Sequence, residues 1–292
     1  MFWNGETMSE ENQQQKVVLI TGCSSGIGLE TALEFARNGY KTYASMRNLD
    51  KKSELENKAN NENLNIEILE IDVNNQETID NAINQIKNKE NRIDVLVNNA
   101  GYGFMGSLEN CSLKEIKDQF ETGFFGPIRM IKAVLPFMKE QKSGKIINIS
   151  SVAGQIGFPL SSAHVSSKFA LEGLTDSLRL ELSLYGNSLS LLEPGVVKSK
   201  FHENMKIVEA STNPTYKEMT EKIRKNSAKL FENGIEPSDV AKKIHEISQI
   251  ESPKTRYSIG ELADLFLENK ERMTGTEFEK FIQGVFKDVL EA

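Results

Sequence analysis

Residues 16–28, Lys-Val-Val-Leu-Ile-Thr-Gly-Cys-Ser-Ser-Gly-Ile-Gly, constrain the fold of this chain more than any other stretch. The run 16–20 is apolar and β-branched, too short for a helix and suited to a buried strand. Beyond the glycines, Ile27, Leu29, Ala32, Leu33, Phe35 and Ala36 recur at helical spacing and stop at Asn38 and Gly39, a helix-ending pair. A strand, a glycine turn and a helix in this order suit a phosphate. Glycine lets the backbone turn tightly and lets a pyrophosphate approach, and the helix start offers unpaired N–H groups to an anion. Gly22, Ser24, Ser25, Gly26, Ile27 and Gly28 are therefore candidate cofactor-binding residues. The plain alternative is a glycine-rich turn with no ligand.

The alternation repeats along the chain. Strands are expected at 42–45, 66–71, 93–97, 145–149 and 188–192. Helices are expected over 51–60, 76–89 and 162–184, with a long one within 112–140. Strands alternating with helices imply a Rossmann-like, doubly wound parallel α/β sheet with helices on both faces. Residues 196–234 read as polar and irregular, and about 200–232 is expected to form a substrate lid. A helix starts at Pro237 and runs to about Ile250, Arg256–Ile259 suits an edge strand, and 261–290 is amphipathic and helical. The expected organisation is a disordered tail over 1–15, one domain over 16–260 and a helical extension over 261–292.

Composition excludes several classes. With 35 Lys and Arg against 42 Asp and Glu, the formal charge is −7, which argues against neutralising a nucleic-acid backbone. Two cysteines in 292 residues make no disulfide framework. The polar start lacks the pattern of a signal peptide, and no stretch approaches the length of an apolar spanning helix. A soluble cytoplasmic protein without a transmembrane segment is expected. Apolar Phe104, Met105, Phe158, Leu160 and Phe201 follow the segments that should line the cleft mouth. They suggest an apolar small-molecule substrate, although any one of them could simply pack.

The end of the second strand, Tyr43, Ala44, Ser45, Met46, Arg47, has no carboxylate for a ribose 2′-OH and has a cation next to it. That pattern favours NADP(H) over NAD(H), with a solvated surface Arg47 as the alternative. Further on come Asp72, then Asn98, Asn99, Ala100 and Gly101, then Asn148, Ile149, Ser150 and Ser151, then Lys168, then Glu193, Pro194 and Gly195. In this order and on these elements, the motifs resemble the short-chain dehydrogenase/reductase family over about residues 16–260. The Cys-Ser-Ser-Gly-Ile-Gly and Met-Arg-Asn-Leu runs and the long C-terminal part are most similar to its retinol- and 17β-hydroxysteroid-dehydrogenase-like members. The resemblance implies that Asp72 bonds the adenine amino group with Val73 beside the ring. It implies that Asn98 supports the central strand, with Ala100 and with Gly101 near the ribose. Pro194, Gly195 and Val197 would flank the nicotinamide, Ser199 would lie near its carboxamide, and Lys168 would bind the nicotinamide ribose. It also implies a homodimer or homotetramer through the helices at 112–140 and 162–184.

The chain departs from the family at two of four proton-transfer positions. The family's Tyr-x-x-x-Lys motif places its Tyr four residues before Lys168, where this chain has His164, and its Ser falls on Ser151. The family's helical Asn falls on Gly123. His164 and Lys168 share a helix face. A nearby ammonium pushes an imidazole below its ordinary pKa of about 6.5, and neutral imidazole is a poor acid that still donates a hydrogen bond. Gly123 removes a side-chain amide, and a bulged helix there would tolerate the glycine. Two functional readings follow. One is an NADP(H)-dependent oxidoreductase moving hydride between nicotinamide and a carbonyl or secondary alcohol, with Ser151, His164, Lys168 and Gly123 at the catalytic positions and the usual relay impaired. The other is an inactive NADP(H)-binding homologue, arisen by divergence or by design, that serves as sensor or scaffold.

Overall fold

The computed structural model describes residues 15–201, 203–208 and 213–290. Residues 1–14 of the expected tail, and 202 and 209–212 of the expected lid, lie outside the described residues. The chain opens with β1 (Val17–Thr21), α1 (Gly26–Arg37), β2 (Lys41–Met46), α2 (Ser53–Asn61), β3 (Ile66–Glu70), α3 (Gln76–Glu90), β4 (Val95–Asn98) and a two-residue β5 (Phe104–Met105). It continues through α4 (Leu113–Phe120), a π-helical turn (Glu121–Phe125), α5 (Gly126–Gln141), β6 (Gly144–Ile149), α6 (Ser162–Ser183), β7 (Asn187–Pro194) and β8 (Lys206–Ile207). The last part is α7 (Pro214–Glu232), α8 (Pro237–Gln249), β9 (Arg256–Ile259), α9 (Glu261–Arg272), α10 (Gly275–Val285) and α11 (Lys287–Leu290).

Seven strands pair in the order β3-β2-β1-β4-β6-β7-β9, each neighbour parallel. The central strands β1 and β4 are buried along their whole length, which is why they read as continuous apolar runs. Alternate residues of β1 serve opposite cores. Val18 and Ile20 pack with Leu29, Leu33 and Phe35 of α1 and Val240 and Ile244 of α8. Val17 and Leu19 pack with Ile79, Ile83 and Ile86 of α3 and Met130 and Val134 of α5. Because all seven strands run the same way, the loops after β1, β4, β6 and β7 gather at one edge. The order switches direction between β1 and β4, the place where doubly wound sheets open a crevice.

Two stretches differ from their sequence pattern. The helix within 112–140 contains the π turn, and buried Gly123 sits inside it. A Cβ on Gly123 would lie 3.1 Å from the Ser167 hydroxyl, so the turn draws the chain close to α6. The region read as irregular carries the 19-residue α7 and strand β8, which pairs with β5. Its polarity conceals a helix that Pro214 starts, the Asn213 side chain caps by accepting from the Thr215 N–H at 3.1 Å, and Glu218 and Lys222 brace with a 3.1 Å ion pair.

A charge cluster built on two buried carboxylates, Glu172 and Glu193, ties β7, α6 and β9 together. Glu193 is 1% exposed and accepts a hydrogen bond from Gln155 Nε2 at 2.6 Å. Arg256 Nε lies 2.9 Å from Glu172 and 3.6 Å from Glu193, and its Nη2 lies 2.7 Å from Asp176. Burial, and then the neighbouring Glu172 carboxylate, push the Glu193 carboxyl up to about 7. Its folded value lies above its ordinary 4.5. The stability it contributes is therefore fully present below that value and is lost as pH rises through about 7. Glu193→Gln, neutral at every pH, should match the parent near pH 5 and exceed its melting temperature at pH 8. The expected gain is roughly 2–4 °C, the shift that about 1 kcal/mol produces in a domain of this size. A lower melting temperature for the variant at pH 8 would show that Arg256 needs the carboxylate instead.

Candidate active site

The glycine turn is held shut against the end of β4. Asn99 Nδ2 donates to the carbonyls of Thr21 at 2.9 Å and Gly22 at 3.2 Å. The Thr21 hydroxyl in turn accepts from the backbone N–H groups of Asn99 and Ala100, both at 3.0 Å. Gly22 and Gly26 have φ of +76° and +59°, a conformation that favours glycine. A Cβ on Gly28 would sit 2.3 Å from the Gly22 carbonyl oxygen and 2.5 Å from Asn99 Nδ2. α1 begins at Gly26 with Ser25 at its N-cap, yet the Ser25 side chain makes no capping hydrogen bond. The first N–H groups of α1 are thus left for an anion, and the bare glycines at 22 and 28 let the turn pack directly on the end of β4. These residues fit the pyrophosphate of a dinucleotide.

The other predicted cofactor residues lie at or after the ends of β2, β3, β4 and β7. The loop after β7 crosses it, with Ser199 Cβ 3.1 Å from where a Cβ on Gly26 would lie. Gly195 is pinned by its N–H to the Ile259 carbonyl at 3.0 Å, and buried Val197 bridges to Ile235. Pro194 ends β7. Asp72 Oδ1 accepts from the Asn74 N–H at 3.0 Å, a turn contact, and buried Val73 passes its carbonyl to Arg129 at 3.1 Å. Arg47 follows β2, is exposed, and acts electrostatically on the Tyr102 phenol. Asn98 Nδ2 donates to Asn148 Oδ1 at 2.9 Å, and Asn148 donates to Thr175 at 3.1 Å. That amide chain locks β4, β6 and α6 together. Ser24 in the turn and Ile27 in the first turn of α1 are half-buried, and Gly101 is open, with only the Asn99 carbonyl within 4 Å of a Cβ placed there.

The four proton-transfer positions come from three elements. Ser151 ends the loop after β6 and its hydroxyl accepts from the Ala153 N–H at 3.1 Å. Lys168 Nζ donates to the Ile149 carbonyl at 2.8 Å, so α6 points its ammonium at the end of β6. Burial lowers the Lys168 ammonium to about 8 against the opposing Glu172 carboxylate. His164 lies one turn earlier on α6, half-buried, and is lowered to about 3 by burial first and by Lys168 second. It is a neutral imidazole at any physiological pH. Its Nδ1 lies 3.2 Å from Gln119 Nε2, and its ring centroid lies 6.2 Å from that of Phe201. Gly123 presents only backbone, facing Ser167.

Two contributors escaped the sequence reading. Asn99 braces the glycine turn, and Gln119 is the side chain that touches His164. Asn99 stood inside a motif already singled out; no local pattern marked Gln119. Of the apolar residues expected at the cleft, Phe104, Met105 and Leu160 are buried. Phe158 is clamped edge-on by Phe266 and Phe286, each with its ring centroid 5.8 Å away. Phe201, at 39% exposure, is the one that combines openness with closeness to His164.

A family model for short chain dehydrogenases matches residues 16–209. Retinol dehydrogenase 8 of Bos taurus is 39% identical over 252 residues, which make up 82% of this chain and 80% of that protein. A short-chain dehydrogenase from Streptomyces avermitilis superposes with a TM-score of 0.78 at 28% identity, covering 96% of this chain and 99% of that one. A metagenomic short-chain oxidoreductase in complex with NADP superposes with a TM-score of 0.67 at 26% identity, covering 84% of this chain and 96% of its own.

The cradle makes a direct prediction about its glycines. Gly28→Ala should cost about 1–3 kcal/mol, because its methyl meets the Gly22 backbone as well as the Asn99 amide that braces the turn. Gly101→Ala should stay within about 0.5 kcal/mol of the parent. Denaturant unfolding of the two variants checks both values, and equal losses would show that the close approach at Gly28 is not a constraint.

Proposed function

The chain belongs to the short-chain dehydrogenase family, and from that premise we propose that it is an NADP(H)-dependent oxidoreductase acting on a carbonyl or secondary alcohol of an apolar substrate. One observation carries the reading: the uncapped start of α1 lies under the Gly22–Gly28 close approach, with Ser199 across it. Bound there, a nicotinamide cofactor would supply or accept the hydride at a substrate carbon. The chain's own residues do the rest. The cradle binds the pyrophosphate, and Asp72, Val73, Asn98, Ala100 and Gly101 line the nucleoside side. Pro194, Gly195, Val197 and Ser199 wall the nicotinamide side, and Lys168 binds its ribose and sets the local field. Ser151 holds the substrate oxygen. His164, being neutral, stabilises that oxygen by a hydrogen bond, and in reduction a solvent proton completes the alcohol. An apolar substrate suits Phe201 beside His164, and retinol, the substrate named for the bovine relative, is apolar.

The preference for NADP(H) rests on Arg47, an exposed guanidinium at the end of β2 with no acid beside it in the β2 sequence. Arg47→Ala should weaken NADPH binding by about 10- to 150-fold, the equivalent of a charge-assisted hydrogen bond of about 1.5–3 kcal/mol. NADH affinity should stay the same. Equal losses for both cofactors would assign Arg47 to folding rather than to the 2′-phosphate.

The inactive-homologue reading is favoured by Gly123 and His164 themselves, so turnover decides. NADPH absorbance is followed with a panel of hydrophobic ketones and aldehydes, for the chain as it stands and for Gly123→Asn with His164→Tyr. The new Asn Cβ needs Ser167 to give by a few tenths of an ångström, since it would lie 3.1 Å from that hydroxyl. Oxidation of NADPH by the parent chain supports the enzyme. Turnover by the double variant alone would show a reductase scaffold whose relay has been removed, and would sustain the sensor or scaffold reading.

A further inference from the structure

Gln119 is 1% exposed on α4, one helical turn before Gly123. Its Nε2 lies 3.2 Å from His164 Nδ1 and 3.4 Å from the Tyr102 carbonyl oxygen. The same nitrogen lies 3.6 Å from where a Cβ on Gly123 would be. Gln119 thus brings a side-chain amide beside the position where the glycine offers none. Its Oε1 is buried and has no hydrogen-bond partner among the described residues.

The orientation of this amide follows from its partners. A carbonyl oxygen only accepts, so the atom facing Tyr102 must be the NH2 group. That NH2 has two protons and faces two atoms, the Tyr102 oxygen and His164 Nδ1. The opposite orientation would set the amide oxygen against another carbonyl oxygen and strand two buried donors instead of one acceptor. Nδ1 therefore accepts a hydrogen bond and carries no proton of its own. In a neutral imidazole the single proton then sits on the other nitrogen, Nε2.

We propose that Gln119 is a positioning residue that holds His164 as its Nε2–H tautomer, and so makes His164 a hydrogen-bond donor to a ligand oxygen rather than a base. Burial and Lys168 keep the ring neutral, so the tautomer persists across the physiological range. The donor role toward a substrate carbonyl rests on the oxidoreductase reading above; the tautomer does not. Neutral imidazole polarising a carbonyl is a known strategy where the ring's pKa is held low. The proposal also explains why a glycine at 123 is compatible with a working site: the amide reaches in from the preceding turn.

Nitrogen NMR of the full chain, labelled at histidine, tests this without any turnover. The chain has three histidines, and His164→Asn assigns the signal. The parent should show a pyridine-type Nδ1 and a pyrrole-type Nε2 at pH 7. Gln119→Glu, whose carboxylate accepts from Nδ1–H, should invert that pattern. Gln119→Leu should leave a mixture. A pyrrole-type Nδ1 in the parent overturns the proposal, as does a parent pattern that survives in Gln119→Leu. The first of these outcomes needs no Gln119 variant to fold. The expected pattern combined with silence on the ketone panel would count against the oxidoreductase reading and leave the tautomer standing. Where turnover is seen, Gln119→Leu should lower kcat about tenfold with KM little changed. An unchanged kcat would overturn the donor role.

Discussion

The contact between the turn after β1 and the end of β4 governs the rest of this molecule. Asn99 and Thr21 exchange four hydrogen bonds across it with the neighbouring backbone. Gly28 is packed so closely on Gly22 that no side chain fits between them. The contact lies where the sheet order switches direction, so closing it also shapes the crevice. It aims the start of α1 at that crevice. It sets Ala100 and Gly101 beside the cradle, and the loop from β7 then needs only Ser199 over Gly26 to complete the far wall. A small-residue requirement in one turn and an amide in the next therefore join two strands whose hydrogen bond from Thr21 to Val97 spans 76 residues.

The proton-transfer side shows a different economy of parts. Lys168 is held by the Ile149 carbonyl, and α6 therefore carries His164 to a fixed place one turn away. His164 Nδ1 faces α4, where Gln119 Nε2 lies 3.2 Å away. The π turn around Gly123 brings the same helix close to Ser167, whose hydroxyl donates to the His164 carbonyl at 2.7 Å. His164, Gly123, Gln119 and Ser167 are thus one packed unit spanning α4, the π turn and α6. A substitution at one of them is felt by the others, which is why restoring Tyr and Asn at 164 and 123 is not a simple reversal.

Much of this was legible before any coordinates. The strand, the glycine turn and the helix could be read because each has its own local chemistry: β-branched residues, positive φ and a 3.6-residue period. The parallel sheet followed from their alternation, and the family from motifs whose spacing the sheet edge enforces. What lay hidden is non-local or masked by polarity. The pairing of β5 with β8 joins two-residue strands about a hundred positions apart, too short to carry a period. α7 was hidden because its sequence is polar and its stabilising parts are a cap and an ion pair. Gln119 sits 45 residues from His164, and only the packing of α4 on α6 brings the two together.

The switch-point cradle is the place proposed here to hold a nicotinamide dinucleotide. Hydrogen exchange of the full chain, with and without saturating NADP+, tests it most directly. The account predicts slower exchange at the amides of 22–28, 98–101 and 194–199, with the start of α1 most protected. Protection confined to other segments, or none at all, would contradict it.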